Sequence, residues 1–366
     1  MKKVLAGERI LGILLLLVLA ACASTKAPEV SYPDFSGAAV SVSKYGNVLT
    51  DISAAALEAA GYEMGDILVI QSEGAAEEAP YVSAYSDVNR GNLLARSDPD
   101  SGQIELAVSY GNLSERLGIV AGSAVTLRMA DKGAYLGEFE IRRLEKSENR
   151  SDYTSDEVFA NFREIRSGSI KAKTLYRSCN PILGDPRAPY AAALAEAAGI
   201  KTIINLADSD EELAERGPSS PWYNALIKSG RVVNLNMGVD FQSRDFPEKL
   251  KRGLQFITAN EGPYLVHCNE GKDRAGIVSA LLEVLLGADL ADVKTDYMAS
   301  YANYYGVTPN GARYAAISNI IVDILKEMNN GGAVTDKNLG QVVERYLTQS
   351  AGLSAEEISR LKARLR

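Results

Sequence analysis

A short apolar run, Tyr264-Leu-Val-His267, passes into a polar stretch, Cys268-Asn-Glu-Gly-Lys-Asp-Arg274, and then into an apolar helical pattern over residues 275–286. A buried strand, a tight loop and a buried helix in that order form a βα unit, and such units build sheets covered by helices. Upstream segments carry the same alternation. Residues 188–198 read as a helix ended by Gly199, residues 201–206 and 231–235 as buried strands, and residues 246–260 as a second helix. The reading is an α/β domain over residues 153–332 with a central, mostly parallel sheet flanked by helices. Residues 333–366 add two amphipathic helices expected to pack on it, the second opened by a capping box, Ser354-x-x-Glu357.

The front of the chain is built differently. Between residues 37 and 145, short β-like runs (67–70, 103–108, 124–128) alternate with turn signals such as Gly46-Asn47 and Asp98-Pro-Asp-Ser-Gly102. Many short strands between turns predict a small β-barrel domain. The charged, sparsely apolar residues 145–156 read as the linker. At the N-terminus, Lys2, Lys3 and Arg9 precede an apolar run over residues 11–19, too short to span a bilayer, and then Leu19-Ala-Ala-Cys22. This arrangement resembles a bacterial lipoprotein signal with its L-[AS]-[GA]-C box. The resemblance implies a signal peptide over residues 1–21, lipidation of Cys22, a tether over residues 22–36, and an extracytoplasmic protein held to a membrane by acyl chains.

Composition narrows the chemistry. The 366 residues carry a net charge of −8, three cysteines and a single histidine. A zinc ribbon or a disulfide scaffold needs more ligands than that, and an acidic chain repels nucleic acid, so no nucleic-acid partner is expected. A serine–histidine–aspartate hydrolase would have to use His267, the residue beside Cys268. The geometry of Cys268 and Arg274 points instead to phosphate. A short loop wrapped onto a helix N-terminus aims successive N–H groups at one point, and Arg274 adds a bidentate fork to the same anion. Both features favour a thiolate at Cys268, placed to attack phosphorus and form a cysteinyl-phosphate that water hydrolyses. Gly271 allows the bend, and no metal or other cofactor is required.

The segment resembles the C-x5-R signature of cysteine-dependent protein tyrosine phosphatases, and more narrowly the H-C-x-x-G-K-D-R-[TS]-G loop of bacterial tyrosine, dual-specificity and phosphoinositide phosphatases. Asn161-Phe-Arg163, Leu175-Tyr-Arg-Ser178 with Pro181, and Gly199-Ile-Lys-Thr-Ile-Ile-Asn-Leu206 resemble further elements of that family. The resemblance implies Cys268 as nucleophile and Arg274 as phosphoryl clamp, with His267, Asn269, Glu270, Gly271 and Lys272 around the substrate phosphate. Asp273, inside the loop, is the favoured general acid, and Asp240, at the spacing of the mobile acid loop of other phosphatases, is the second candidate. Ala275 stands where the family has Thr or Ser, which predicts slower turnover and leaves a catalytically weakened phosphate-binding or scaffold lipoprotein as the alternative. Expected substrates are phosphotyrosine proteins, phosphoinositides or inositol phosphates. Tyr297, Tyr301 and Tyr305 share one helical face, read as core packing rather than a substrate wall. Cys179 is read as a small buried residue before a redox partner of Cys268.

The front domain carries a resemblance of its own. Residues 43–52, Tyr85-Ser-Asp-Val88, Gly91-Asn-Leu-Leu-Ala95 and residues 104–118 are similar to the C-terminal barrel of S-adenosylmethionine hydroxide adenosyltransferases. That implies a nucleoside contact through Tyr45 and Asn47, with a structural spacer or partner platform the preferred reading.

Overall fold

The computed structural model describes residues 31–238, 243 and 245–366. Cys22 and Asp240 therefore lie outside the described residues. Alternating apolar and polar side chains dictate the first module. In Ile67-Leu-Val-Ile-Gln-Ser72 every second residue, Leu68, Ile70 and Ser72, is buried, the period of a sheet with one covered face. The strands are β1 (Phe35–Val42), β2 (Val48–Ser53), β3 (Ile67–Ser72), β4 (Ala75–Pro80), β5 (Leu93–Ser97), β6 (Gln103–Val108) and β7 (Ala124–Asp131), with short helices α1 (Ala54–Ala59) and α2 (Leu113–Leu117). The sheet runs β4-β3-β7-β1-β2-β6-β5, and every pairing within it is antiparallel. A bridge between Tyr81 and Ala95 brings its two edges together, so the sheet nearly closes into a barrel around Val48, Leu57, Tyr62, Leu68, Leu106 and Leu127. Closure removes exposed edges.

The barrel leads into α3 (Leu136–Ile141). This helix does not end a separate domain; it packs on the second module. The Gly137 Cα is so near α11 (Ala312–Met328) that a Cβ there would lie 2.9 Å from Ile320 Cγ1. Glu140 pairs with Arg313 at 2.7 Å. Residues 145–156, read from the sequence as a linker, are held rather than free. Tyr153 Oη donates to Ser147 O at 2.7 Å, and the buried Arg187 reaches both Ser147 O and Glu148. Charge density there reflects ion pairing to a neighbouring surface, which a linear pattern does not distinguish from solvation.

The second module has five strands, β8 (Arg163–Glu164), β9 (Leu175–Ser178), β10 (Thr202–Asn205), β11 (Val232–Asn234) and β12 (Tyr264–His267), ordered β11-β10-β12-β9-β8. All pairs are parallel except β8–β9. Around the sheet lie α4 (Asp156–Phe159), α5 (Ala188–Ala197), α6 (Asp210–Arg216), α7 (Pro221–Lys228), α8 (Asp245–Ala259), α9 (Asp273–Leu285) and α10 (Leu290–Tyr305), then α11, α12 (Leu339–Arg345) and α13 (Ala355–Leu365). β9, β10 and β12 are buried along their whole length, as expected of strands covered on both faces. The last helices complete that core: Leu339, Val343, Ile358 and Leu361 pack into the cluster that holds Val266, Val278 and Leu281. No helix among the described residues is long and apolar enough to cross a membrane.

Candidate active site

β12 delivers Cys268 to the C-terminal edge of the parallel sheet, where ligands bind in open α/β folds. The helix that follows, α9, is buried from Ala275 to Leu285, so the loop between them is fixed at both ends. The bend depends on Gly271. Its φ is +66°, and a Cβ there would sit 2.1 Å from Ser178 O, so both the backbone conformation and the close approach demand glycine.

The carbonyls of residues 269 to 272 all accept from groups outside the loop. Asn180 N–H donates to Asn269 O at 3.0 Å. Asn161 Nδ2 and Tyr304 Oη donate to Glu270 O at 3.1 and 2.7 Å. Arg177 Nε and Nη2 donate to Gly271 O at 3.2 and 2.7 Å, and Nη2 also reaches Lys272 O at 3.0 Å. The N–H groups of Asn269 to Arg274 donate to no protein atom among the described residues. With carbonyls paired outward and N–H groups unspent at the start of a 13-residue helix, the loop is a cradle for an anion. Arg274, half-buried, has its Nη1 on Met237 O at 3.0 Å.

Two buried polar networks stand behind the loop. In the first, Asp296 accepts from Arg163 Nε at 2.7 Å and pairs with the fully buried Arg177. Burial raises the Asp296 carboxyl, but the two arginines outweigh it and hold the pKa at about 2. Gly276 makes room for Arg177: a Cβ there would lie 3.1 Å from Nη2. In the second network, His267 Nε2 lies 2.8 Å from Tyr223 Oη. Asn205 Nδ2 donates to Tyr223 Oη at 3.2 Å and to Asp208 Oδ2 at 2.7 Å, and Asn180 Nδ2 donates to Asp208 at 2.9 Å. Burial pushes the His267 pKa down to about 4, against the pull of Asp208. A neutral imidazole held by Tyr223 does not shuttle protons near neutrality.

The remaining residues read from the sequence divide by position. Cys268 is buried at the base of the cradle, Asn269 is exposed at its tip, and Glu270 is part-exposed beside it. Lys272 is buried, with Nζ 2.7 Å from Asp273 Oδ1 and 5.0 Å from the Tyr301 ring centroid. Burial works against its charge, but Asp273 more than offsets this and keeps it an ammonium. Asp273 is half-exposed, with Oδ1 on that lysine. Tyr297 and Tyr301 are core residues, with Tyr305 packed against them. Cys179 is buried, and burial pushes its thiol far up. In the barrel, Tyr45, Asn47, Tyr85, Tyr110 and Asn112 line a cleft of about 590 Å³.

Sequence reasoning gave no role to Asn161, Arg177, Asn180, Asp296 or Tyr304. One signal was available. An arginine within the buried strand Leu175-Tyr-Arg-Ser178 cannot be left unpaired, so it announces a buried acid and a set of acceptors.

No curated protein matches the chain. Among solved structures, an uncharacterized conserved protein from Thermotoga maritima is 26% identical over 25% of this chain and 35% of its own, with a TM-score of 0.25. A conserved hypothetical protein from Thermus thermophilus is 23% identical over 26% of this chain and 34% of its own, with a TM-score of 0.21. The chain thus spans about a third of the length of these two. The core catalytic domain of the PP-IP phosphatase SIW14 from S. cerevisiae, in complex with citrate, is 20% identical over 46% of this chain and 93% of its own, with a TM-score of 0.29. Residues 37–126 match the SAM hydroxide adenosyltransferase C-terminal domain. Residues 157–366, which hold the cradle and both networks behind it, match the tyrosine phosphatase family. The chain belongs to that family.

Proposed function

We propose that the protein hydrolyses phosphate monoesters through a covalent intermediate on Cys268, at a membrane surface to which Cys22 anchors it. Cys268 Sγ attacks phosphorus in line with the leaving oxygen. The S–P bond forms as the ester P–O bond breaks, and the leaving oxygen takes a proton from Asp273, with Asp240 the second candidate. Water then displaces the sulfur, releasing inorganic phosphate and the thiolate. Arg274 and the N–H groups of Asn269 to Arg274 stabilise the equatorial oxygens throughout. The observation that carries this reading is the outward pairing of the carbonyls of Asn269, Glu270, Gly271 and Lys272, which leaves their N–H groups for an oxyanion. The proposed substrates are phosphotyrosine proteins, phosphoinositides or inositol phosphates.

Ala275 favours a second reading. It is buried in the first turn of α9, where it has no hydroxyl to assist departure of the sulfur, so the phosphoenzyme is expected to accumulate and the protein to act mainly by holding phosphate. Hydrolysis of para-nitrophenyl phosphate by wild type and Cys268→Ser tests the covalent route, with activity lost in the variant. Equal rates would remove it. Asp273→Asn is expected to lower kcat about 10²- to 10⁴-fold if it is the acid, and rapid-quench labelling of Cys268 distinguishes a stalled phosphoenzyme from slow attack. Metabolic labelling with a fatty acid, lost in Cys22→Ala together with membrane retention, tests the anchor.

A further inference from the structure

The rim of the cradle carries a carboxylate where an anion has to enter. Glu270 is the second residue after Cys268, its side chain one-third exposed, and its carbonyl is fixed by Asn161 and Tyr304. A negative charge there opposes a phosphate dianion. Among the described residues, the cation nearest to it comes from outside the phosphatase sheet. Lys146 Nζ contacts Glu270 Oε1, whereas Lys272 Nζ is 3.9 Å from Oε2 and is committed to Asp273.

Lys146 is held from both modules. Three residues before it, Arg143 donates to Asp87 Oδ2 at 2.9 Å and to Ser83 Oγ at 2.6 Å, both in the barrel. The next residues, Ser147 and Glu148, are gripped by Arg187. The ammonium itself lies 5.3 Å from the centroid of the Tyr304 ring, the same tyrosine whose hydroxyl holds the Glu270 carbonyl. Few conformers of the lysine remain, so the ion pair forms with little further loss of side-chain entropy.

We propose that Lys146 is a positioning residue for the phosphate loop: delivered by the segment that joins the modules, it neutralises Glu270 and keeps the rim of the cradle from repelling the substrate phosphate. The front module is then part of the catalytic unit, because its packing sets where Lys146 stands. The proposal rests on the reading of residues 268–274 as a phosphate site.

The test is competitive inhibition by inorganic phosphate in the full-length protein at fixed ionic strength, with para-nitrophenyl phosphate as reporter. Lys146→Met keeps the aliphatic stem over Tyr304 and removes the charge. It is expected to raise both the phosphate inhibition constant and KM roughly three- to tenfold, with kcat changed less and the effect shrinking as salt is added. Lys146→Arg restores both values. Glu270→Gln binds phosphate at least as tightly as wild type, and the Lys146→Met/Glu270→Gln double variant behaves like Glu270→Gln alone. A double variant as weak as Lys146→Met, or a Lys146→Met protein indistinguishable from wild type, overturns the proposal while leaving the phosphate site intact. A wild-type protein that phosphate does not inhibit overturns the site and the proposal together.

Discussion

Both modules bury charge, and they use it differently. In the barrel, Asp66, Asp87 and Glu105 are buried, but each pairs with a cation that solvent reaches: Lys132, Arg143 and Arg96, respectively. These pairs are scattered: one joins the adjacent strands β5 and β6, and the others tie segments outside the strands. In the phosphatase module, Arg177, Arg187 and Asp208 are buried, with Asp296 nearly so. Arg187 holds Ser147 and Glu148, and the other three lie in the networks behind a single short loop, Cys268 to Arg274. Taking charges out of water is unfavourable, and an apolar core of equal volume is often the more stable choice. Concentrating that cost behind one loop is reasonable where the loop must be held in a conformation it would not adopt unaided, with its carbonyls paired to groups outside the loop and its N–H groups unspent.

Removing Asp296 is the most direct way to break this contrast. Asp296→Ala leaves Arg163 and Arg177 without their carboxylate in a site closed to water. The expected loss is about 3–5 kcal/mol of stability for a broken buried pair. Activity should fall further than stability alone requires. An Arg177 released from Asp296 no longer fixes the carbonyls of Gly271 and Lys272, and a shift of about 1 Å in a reacting group costs about 10²-fold. Urea unfolding followed by Trp222 fluorescence measures the first effect, since the chain's single tryptophan lies in α7 of this module. Assays below the unfolding midpoint measure the second. Retention of kcat in a destabilised Asp296→Ala protein would reduce the arginine network to ordinary core packing.

The same contrast explains what was legible in the sequence. Periodicity and turn residues were enough for the barrel, because an antiparallel sheet with one covered face writes its register into alternate residues, as Leu68 and Ile70 show. The βα alternation was enough to place residues 268–274 on a strand-to-helix junction. The supports of the cradle were not legible, because they converge from segments far apart in the chain: Asn161, Arg177, Asn180, Asp296 and Tyr304. Asp296 and Tyr304 sit on the helix that carries Tyr297, Tyr301 and Tyr305, and the aromatic spacing drew attention from the carboxylate beside it. The joint between modules was misread for a related reason. A run of charges looks solvated until the opposing surface is known, and here that surface supplies Arg187 and Glu270.

A second expected effect, somewhat smaller, separates the modules by pH. His267 is the only histidine of the chain, and burial holds its pKa at about 4. The unfolded chain binds a proton there from about pH 6.5 downward, whereas the folded module stays neutral until about pH 4. Its contribution is therefore complete above about pH 6.5 and is lost as the pH falls toward 4, by up to roughly 3 kcal/mol. Asp296, with its pKa at about 2, acts in the opposite sense of charge but in the same direction: its stabilisation is present above about pH 4 and is lost below that. Unfolding monitored by Trp222 should thus weaken between pH 6.5 and 4 in tag-free wild type, and His267→Gln should flatten that slope. The single imidazole resonance should show no titration near pH 6.5. A midpoint there would mean that water reaches the ring and that the second network does not seal the back of the loop.

The smallest effect tests the barrel side. Glu105 accepts from Arg96 Nε and Nη2 at 3.1 and 2.7 Å and from Tyr85 Oη at 2.6 Å, and Tyr85 accepts in turn from Asn47 Nδ2 at 2.9 Å. Arg96→Ala removes two charge-assisted hydrogen bonds, but the Arg96 side chain is 15% exposed, so water can replace part of what is lost. The expected cost is about 1–2 kcal/mol, read as a lower thermal midpoint, with the tyrosine hydroxyl still holding the carboxylate. None of Arg96, Glu105, Tyr85 or Asn47 hydrogen-bonds to the Cys268–Arg274 loop, so kcat and KM for para-nitrophenyl phosphate should stay within about twofold of wild type. This is the point at which the barrel's two relations to the Cys268–Arg274 loop come apart. Lys146 acts on it through one contact at the joint, whereas the pairs deeper in the barrel only keep the sheet folded. If Arg96→Ala lowered kcat as far as Asp296→Ala does, buried charge in the front module would also be in the service of the phosphate loop, and the division of labour between the two modules would fail.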